Sequence, residues 1–429
     1  MARVKKEQII FPGYYRDFKC RASACSNNCC IGWEIDIDGE TLQKYRSMPG
    51  ELGEKIRTNI RTEREITYFL MKNGRCPFLG EDNLCEIIST VGDGGLCHIC
   101  REHPRFYNEL SGVTLGGVGM SCEAAAELIL GQDKPELYGD ISRLLDWNDE
   151  DFEISSHLCR GLLCAENILR SEELSDGEKL SRLLSAIKNT ENKIEGAIFG
   201  ADIGDCEKAF LPPSADIFSD KENQRGEEWE PSAIAAVKGL LPTLEFMSNK
   251  LPEKISKAKW SRARRLWTDS ADYRRVLLNC LGYLATRYIP KADGDFSPSS
   301  FIFSSFVILS LLISDGWCLN WGKECSDRGK EQPSCDKEPF ACGEKSLDRA
   351  KEQSGCDKEP LTCGEKSLAC GKEQVNCGKA RIGCCEGACL SDKIFSDAVR
   401  AAVLYSEEIE YSEENVLALG QKDADFFDK

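Results

Sequence analysis

Nine of the chain's 24 cysteines fall within its first 122 residues: Cys20, Cys25, Cys29, Cys30, Cys76, Cys85, Cys97, Cys100 and Cys122. Four of them crowd into the stretch CRASACSNNCCIGW. Thiolates are soft donors for zinc and for iron–sulfur clusters; both take four of them, and the spacing here does not separate the two. A cysteine nucleophile needs one activated thiolate beside a histidine base, not nine thiols in groups. Metal or cluster binding is therefore the chemistry these residues point to. The Cys97-x-x-Cys100 pair can aim two thiolates at one ion from a tight turn, and His98 and His103 lie beside it as groups that could orient ligands. Adjacent Cys29 and Cys30 would point apart along an extended backbone, so all nine are not expected to serve one centre.

The surrounding elements must hold these thiols in place. After the first cysteine group, WEIDID alternates Trp33, Ile35 and Ile37 with Glu34, Asp36 and Asp38, which predicts a strand with one solvated face. Downstream the pattern turns helical. SDGEKLSRLLSAI opens with a capping box, Ser175 and Glu178, and continues with Leu180, Leu183, Leu184 and Ile187 at helical spacing. YRRVLLNCLGYLATRY repeats the rhythm, and segments near 155–172, 232–250, 301–314 and 394–406 read the same way. The segment ADIGDCEKAFLPPSADIFSDKENQRGEEWEP reads as a loop with turns. The expected fold is mainly α: a small cysteine-rich N-terminal metal or cluster domain with little β (1–130), then an α-helical domain (131–322) resumed by a C-terminal helix (391–429).

Between them, residues 323–390 hold a tandem 21-residue repeat. KEQPSCDKEPFACGEKSLDRA is followed by KEQSGCDKEPLTCGEKSLACG and a weaker third copy. Cysteines recur every seven residues there, but a heptad seam needs aliphatic partners at a second position, and they are missing. The reading is an expanded, disordered insertion rather than a metal-binding array.

The net charge of −17 argues against nucleic-acid binding, which needs a basic surface. Residues 1–130 carry 16 Lys+Arg against 18 Asp+Glu, so most of the acidity lies downstream. The longest apolar stretch, Phe301 to Ile313, is short of the roughly 20 residues a membrane span needs. It reads as a buried core helix, without membrane insertion. The N-terminus lacks a signal-peptide core, so a cytoplasmic protein with reduced thiols is expected.

Taken in order, FPGYYRDFKCRASACSNNCCIGWEIDIDGETLQKY, CPFLGEDNLCEI, LCHICREHPRFYNE and MSCEAAAELIL resemble the successive motifs of the flagellin lysine-N-methylase family. That family shares its cysteine pattern with a broader group of zinc- or iron-chelating cysteine-cluster proteins. The late AVRAAVLYSEEIEYSEENVLAL resembles its C-terminal helix, while the repeat has no place in the family pattern. The resemblance implies methyl transfer from S-adenosylmethionine to lysine side chains of flagellin, with a cysteine-bound iron–sulfur cluster, expected as 4Fe-4S, or zinc as the alternative metal. It places the nine N-terminal cysteines on the family's cysteines without selecting four of them, and it names neither a catalytic base nor a donor site.

Physical chemistry narrows the mechanism. A lysine amine is nucleophilic once its ammonium, with pKa about 10.4, has lost a proton, and a sulfonium methyl is already electrophilic. In-line displacement thus needs positioning, desolvation and a proton acceptor, but no radical. The radical spacing of three cysteines with gaps of three and two is absent: Cys25-x-x-x-Cys29 runs straight into Cys30, and position 32 is Gly32. A cluster is expected to organise the fold or bind the donor. VTLGGVGMSC has Gly116, Gly117 and Gly119 but no dinucleotide-binding register, and is read as a plain turn. Two other classes stay open: a non-catalytic zinc- or iron-binding delivery protein, and an interaction module stapled by metal.

Overall fold

The computed structural model describes residues 8–110, 113–139, 141, 153–199, 230–292, 295–327 and 395–421. Met1–Leu319 and Ile394–Lys429 form one compact unit and Asn320–Lys393 another. The repeat and the 201–229 part of the segment read as a loop lie outside the described residues.

Two small sheets serve the cysteine-rich part. In the first, β1 (Gln8–Ile10) pairs in parallel with β5 (Val113–Val118), Gln8 opposite Val113, and β5 pairs antiparallel with β4 (Arg105–Leu110), Arg105 opposite Val118. The second is a hairpin of β2 (Ile60–Glu63) and β3 (Ile66–Phe69), turned by Arg64 and Glu65, whose φ angles are +48° and +74°. Such a two-residue turn with both centres at positive φ matches the twist of the strands it joins. Short helices fill the space between: α1 (Gly39–Ser47), α2 (Gly50–Thr58), α3 (Glu86–Val91), α4 (His98–Glu102) and α5 (Glu123–Leu130). They enclose a core of Ile35, Ile37, Tyr45, Ile56, Phe69, Phe78, Ile87, Cys76 and Cys97.

WEIDID departs from the strand expected of it. Ile35 and Ile37 are buried, as the alternation predicts, but against β3 the segment makes one isolated bridge, Asp36 to Tyr68, flanked by the Ile37 N–H on the Thr67 carbonyl at 2.7 Å and the Phe69 N–H on the Ile35 carbonyl at 3.0 Å, rather than an extended ladder. Asp38 also leaves the solvated face. Its Oδ1 accepts from the Thr41 N–H at 2.9 Å as the N-cap of α1, and its Oδ2 from the His98 N–H at 2.7 Å. Burial raises its pKa, yet these donors outweigh it and bring the carboxyl down to about 2.

The rest is helical, which makes the chain mainly α. The long antiparallel helices α6 (Glu153–Arg170) and α7 (Asp176–Phe199) pack against each other. The capping box forms as read: Ser175 Oγ donates to Glu178 Oε2 at 2.7 Å, and the Glu178 N–H to Ser175 Oγ at 3.3 Å. The expected helix over 232–250 is shorter, α8 (Ser232–Leu240), followed by a tight turn at Leu241–Thr243 where Pro242 enters; α9 (Lys250–Lys257) then starts afresh. After α10 (Trp260–Asp269), α11 (Ala271–Tyr288) buries thirteen residues and forms the axis of the unit. Asn279 on α11 donates to the carbonyls of Leu130 and Gln132 at 3.0 and 2.7 Å, tying this axis to the end of α5.

In α12 (Pro298–Asp327), the window Pro298–Gly316 is long and apolar enough to cross a membrane, and 89% of it is buried inside the fold. It is a core helix, as expected from Phe301–Ile313. Its first turn is capped by buried Glu191, whose carboxylate accepts from the Ser299 N–H at 2.5 Å and from the Ser297 and Ser299 hydroxyls. The C-terminal segment is not one helix: α13 (395–405) passes into a π-turn at Ser406–Glu410, and α14 (Glu413–Leu419) follows.

Candidate functional site

The thiols assemble in two groups. Cys76 and Cys97 are buried in the N-terminal core, and Cys30, Cys85 and Cys100 pack against it. Backbone contacts set this up. The Cys76 N–H donates to the Cys30 carbonyl at 2.9 Å, Cys85 bridges to Leu79, and Cys97 stands just ahead of α4, which carries Cys100. Cys29 and Cys30 sit in a turn rather than an extended strand, so their thiols meet instead of pointing apart. The hydrogen bond from Cys30 holds the Cys29 pKa low and drives that of Cys30 up; Cys97 and Cys100 repeat the arrangement. Burial pushes Cys76 up to about 11, and charge on Cys85, Cys97 and Cys29 adds to the effect.

The second group is Cys20, Cys25 and Cys122. Cys122 caps α5 and is raised to about 11 by burial, with Cys25 and Cys29 adding. Cys25 is raised by burial, then by Glu123, Cys20 and Cys29. The loop holding them is fastened by Glu123, whose Oε2 accepts from the Ser26 N–H, the Ser26 hydroxyl and the Asn27 N–H at 2.8, 2.8 and 3.1 Å. Cys29 influences both groups. Six soft donors whose charges repel one another are a set that a thiophilic cation would relieve. Among the described residues, no three His, Cys, Asp or Glu side chains form a ready coordination sphere, so the fit rests on donor chemistry.

Between the two groups stand three rings from distant parts of the chain. Trp33, His103 and Tyr411 have centroids 5.7, 5.8 and 6.2 Å apart. Trp33 Nε1 donates to the Cys29 carbonyl at 2.7 Å. The Tyr411 hydroxyl accepts from Ser121 Oγ at 2.9 Å and lies 3.1 Å from His103 Nδ1. His103 Nε2 is buried without a hydrogen-bond partner among the described residues. Burial lowers the His103 pKa to about 4, so the imidazole is neutral near pH 7.

Comparison with known proteins gives the arrangement a context. No family model matches the chain, and no solved structure does. A flagellar biosynthetic protein, FliU, from Salmonella muenchen is 29% identical over 151 residues, covering 32% of this chain and 85% of that protein. Lysine-N-methylases from Salmonella typhimurium and Salmonella choleraesuis are each 30% identical over 141 residues, 30% of this chain. Over this stretch the chain is similar to the lysine-N-methylases. The match spans 33% of the length of those two methylases.

A buried polar brace stands behind the rings. Glu410 of the π-turn accepts from the Tyr283 hydroxyl at 2.9 and 3.0 Å and from the Tyr288 hydroxyl at 2.9 Å, and pairs with Arg287 Nη1 at 3.4 Å. Arg287 also donates to the Tyr283 oxygen at 2.6 Å. π-turns inside helices recur at functional sites because they re-aim side chains; here the turn directs Glu410 inward just ahead of Tyr411. The glycine run read as a plain turn is instead strand β5 and its exit. A Cβ on Gly116 or Gly117 would lie 2.3 Å from the ring of Phe11 or Phe106, so these glycines admit aromatic rings against the strand.

Sequence reasoning singled out His103 only as a neighbour of the thiols and passed over Trp33, Tyr411, Glu410 and Arg287 as functional groups. Trp33 carries a faint signal, a large ring three residues after a cysteine pair on a segment that is otherwise polar outside. Tyr411 carries none, since its partner His103 is 308 residues away.

Proposed function

We propose that the protein transfers methyl groups from S-adenosylmethionine to lysine side chains of flagellin, with a cysteine-held iron–sulfur cluster or zinc ion as a structural or donor-binding centre. The observation that carries this is the similarity to two proteins named lysine-N-methylase and one named flagellar biosynthetic protein. The inner thiols, Cys29, Cys30, Cys76, Cys85, Cys97 and Cys100, would supply the ligands, with Cys20, Cys25 and Cys122 as an outer set. Bound there, the centre supplies positive charge and a rigid cross-link among loops that have little regular structure. The chain's own part is to hold the amine and the sulfonium in line, exclude water, and let the ammonium lose its proton.

A second reading, a metal-stapled module without catalysis, is favoured by the burial of Cys76 and Cys97 in the core itself. Intact-mass spectrometry of flagellin after anaerobic incubation with purified protein and S-adenosylmethionine separates the two. Stepwise additions of one methyl group, lost in Cys29→Ser/Cys30→Ser and in Cys76→Ser, support the methylase. A product pool containing 5′-deoxyadenosine would count against simple displacement. A loaded protein that binds no S-adenosylmethionine and adds no methyl would leave the staple.

A further inference from the structure

Trp33, His103 and Tyr411 make a nearly equilateral triangle of rings, open where Tyr411 is 41% exposed. Core pairs such as Tyr45 with Phe69 at 5.9 Å share this spacing and Tyr288 with Phe301 at 4.2 Å is closer, but those rings are buried and fill space against each other. Several rings elsewhere in the fold already carry a cation of the chain: Arg105 lies over Tyr15 and Phe18, and Arg287 over Phe106 and Tyr288. Among the described residues, no lysine or arginine lies over the three rings of the triangle. A cation binds an aromatic face from up to ~6 Å, so one group above the triangle reaches all three.

We propose that Trp33, His103 and Tyr411 form the receptor for the alkylammonium group of the substrate lysine. The class of occupant rests on the methylase reading; the preference for an organic cation rests on the rings. Three features fit a receptor better than packing. The polar edges are fixed, Trp33 Nε1 on the Cys29 carbonyl and the Tyr411 hydroxyl on Ser121 and His103, which holds the faces in position before binding. His103 is a neutral ring beside Tyr411, because burial lowers its pKa to about 4, so it adds no positive charge against an ammonium. One flank is acidic: Glu407, four residues before Tyr411, has its carboxylate on the Asn27 side-chain amide at 2.6 Å. The triangle also touches both thiol groups, through Cys29 on one side and Ser121, next to Cys122, on the other.

The test is calorimetric titration of the full-length protein with three acetylated tripeptides, Gly-Lys-Gly, its trimethyl-lysine form and its norleucine form, and separately with S-adenosylmethionine. We expect the norleucine peptide to bind wild-type protein at least about tenfold more weakly than the lysine peptide. Trp33→Ala and Tyr411→Ala should each weaken both cationic peptides by about 5- to 30-fold, the range for a partly desolvated cation–aromatic contact. Trp33→Phe should restore affinity to within about threefold, and S-adenosylmethionine affinity should stay within about twofold throughout. Tyr411→Ala, at an exposed ring, keeps the test valid if Trp33→Ala fails to fold. Lysine and norleucine peptides bound equally, or undiminished lysine binding by folded variants, would overturn the proposal. So would loss of S-adenosylmethionine affinity alone, which would assign the rings to the donor's sulfonium. Wild-type protein that binds the cationic peptides as expected yet methylates no flagellin would defeat the methylase reading and leave the receptor standing.

Discussion

His103 couples the ring triangle to protonation. Burial holds its pKa near 4, against about 6.5 in an unfolded chain. Between those values the unfolded state binds more protons, so this residue's contribution to stability is complete above about pH 6.5 and is lost as pH falls toward 4. The Tyr411 hydroxyl bonded to it is raised by burial and does not titrate in this window. Urea unfolding at pH 7 and pH 5 should show a stability loss of about 1–2 kcal/mol from this group. His103→Phe should remove that part of the slope, and an unchanged slope would mean the imidazole is not held neutral.

At the scale of elements, the π-turn after α13 decides where the C-terminal segment points. Its Glu410 is enclosed by Tyr283, Tyr288 and Arg287 from α11, so turn and helix axis are locked by charge and hydrogen bonds together. Removing the carboxylate leaves Arg287 buried beside two phenols without a counter-ion. Glu410→Ala should cost about 3–5 kcal/mol, the usual penalty for breaking a buried pair from one side. It should also loosen Tyr411, read as a weaker cationic-peptide affinity. Glu410→Gln keeps the two tyrosine partners and should cost less. A midpoint of thermal unfolding unchanged in Glu410→Ala would show that the brace carries no stability.

For the whole molecule, one compact unit is built from Met1–Leu319 and Ile394–Lys429, and the 21-residue repeat falls in the chain between these two pieces. Replacing residues 330–392 by a Gly/Ser linker of similar reach should therefore leave the thermal midpoint within about 1.5 °C, a shift corresponding to about 1 kcal/mol in a unit of this size. A larger fall would assign the repeat a part in the core. The same shortened protein, tested for metal content, would separate thiols of the N-terminal zone from those of the repeat.

Local pattern determined much of this molecule. The capping box at Ser175, the helical rhythm of Tyr273–Tyr288, the apolar run that became α12 and the grouping of nine cysteines all depend on residues near one another in sequence, where period and spacing carry the information. Similarity to lysine-N-methylases was legible for the same reason, because the cysteine motifs follow one another in order. Tertiary structure decided the rest. Cys29 and Cys30 meet because their backbone turns, which alternation could not predict, and WEIDID's pairing with β3 stops at one bridge, beyond which Asp38 turns to cap α1. The ring triangle needs residues from three segments, and the Glu410 brace joins a turn to a helix 122 residues earlier at Tyr288. Such contacts arise when buried polar groups and ring faces must find partners wherever the fold brings them, and no periodicity along the chain records that choice.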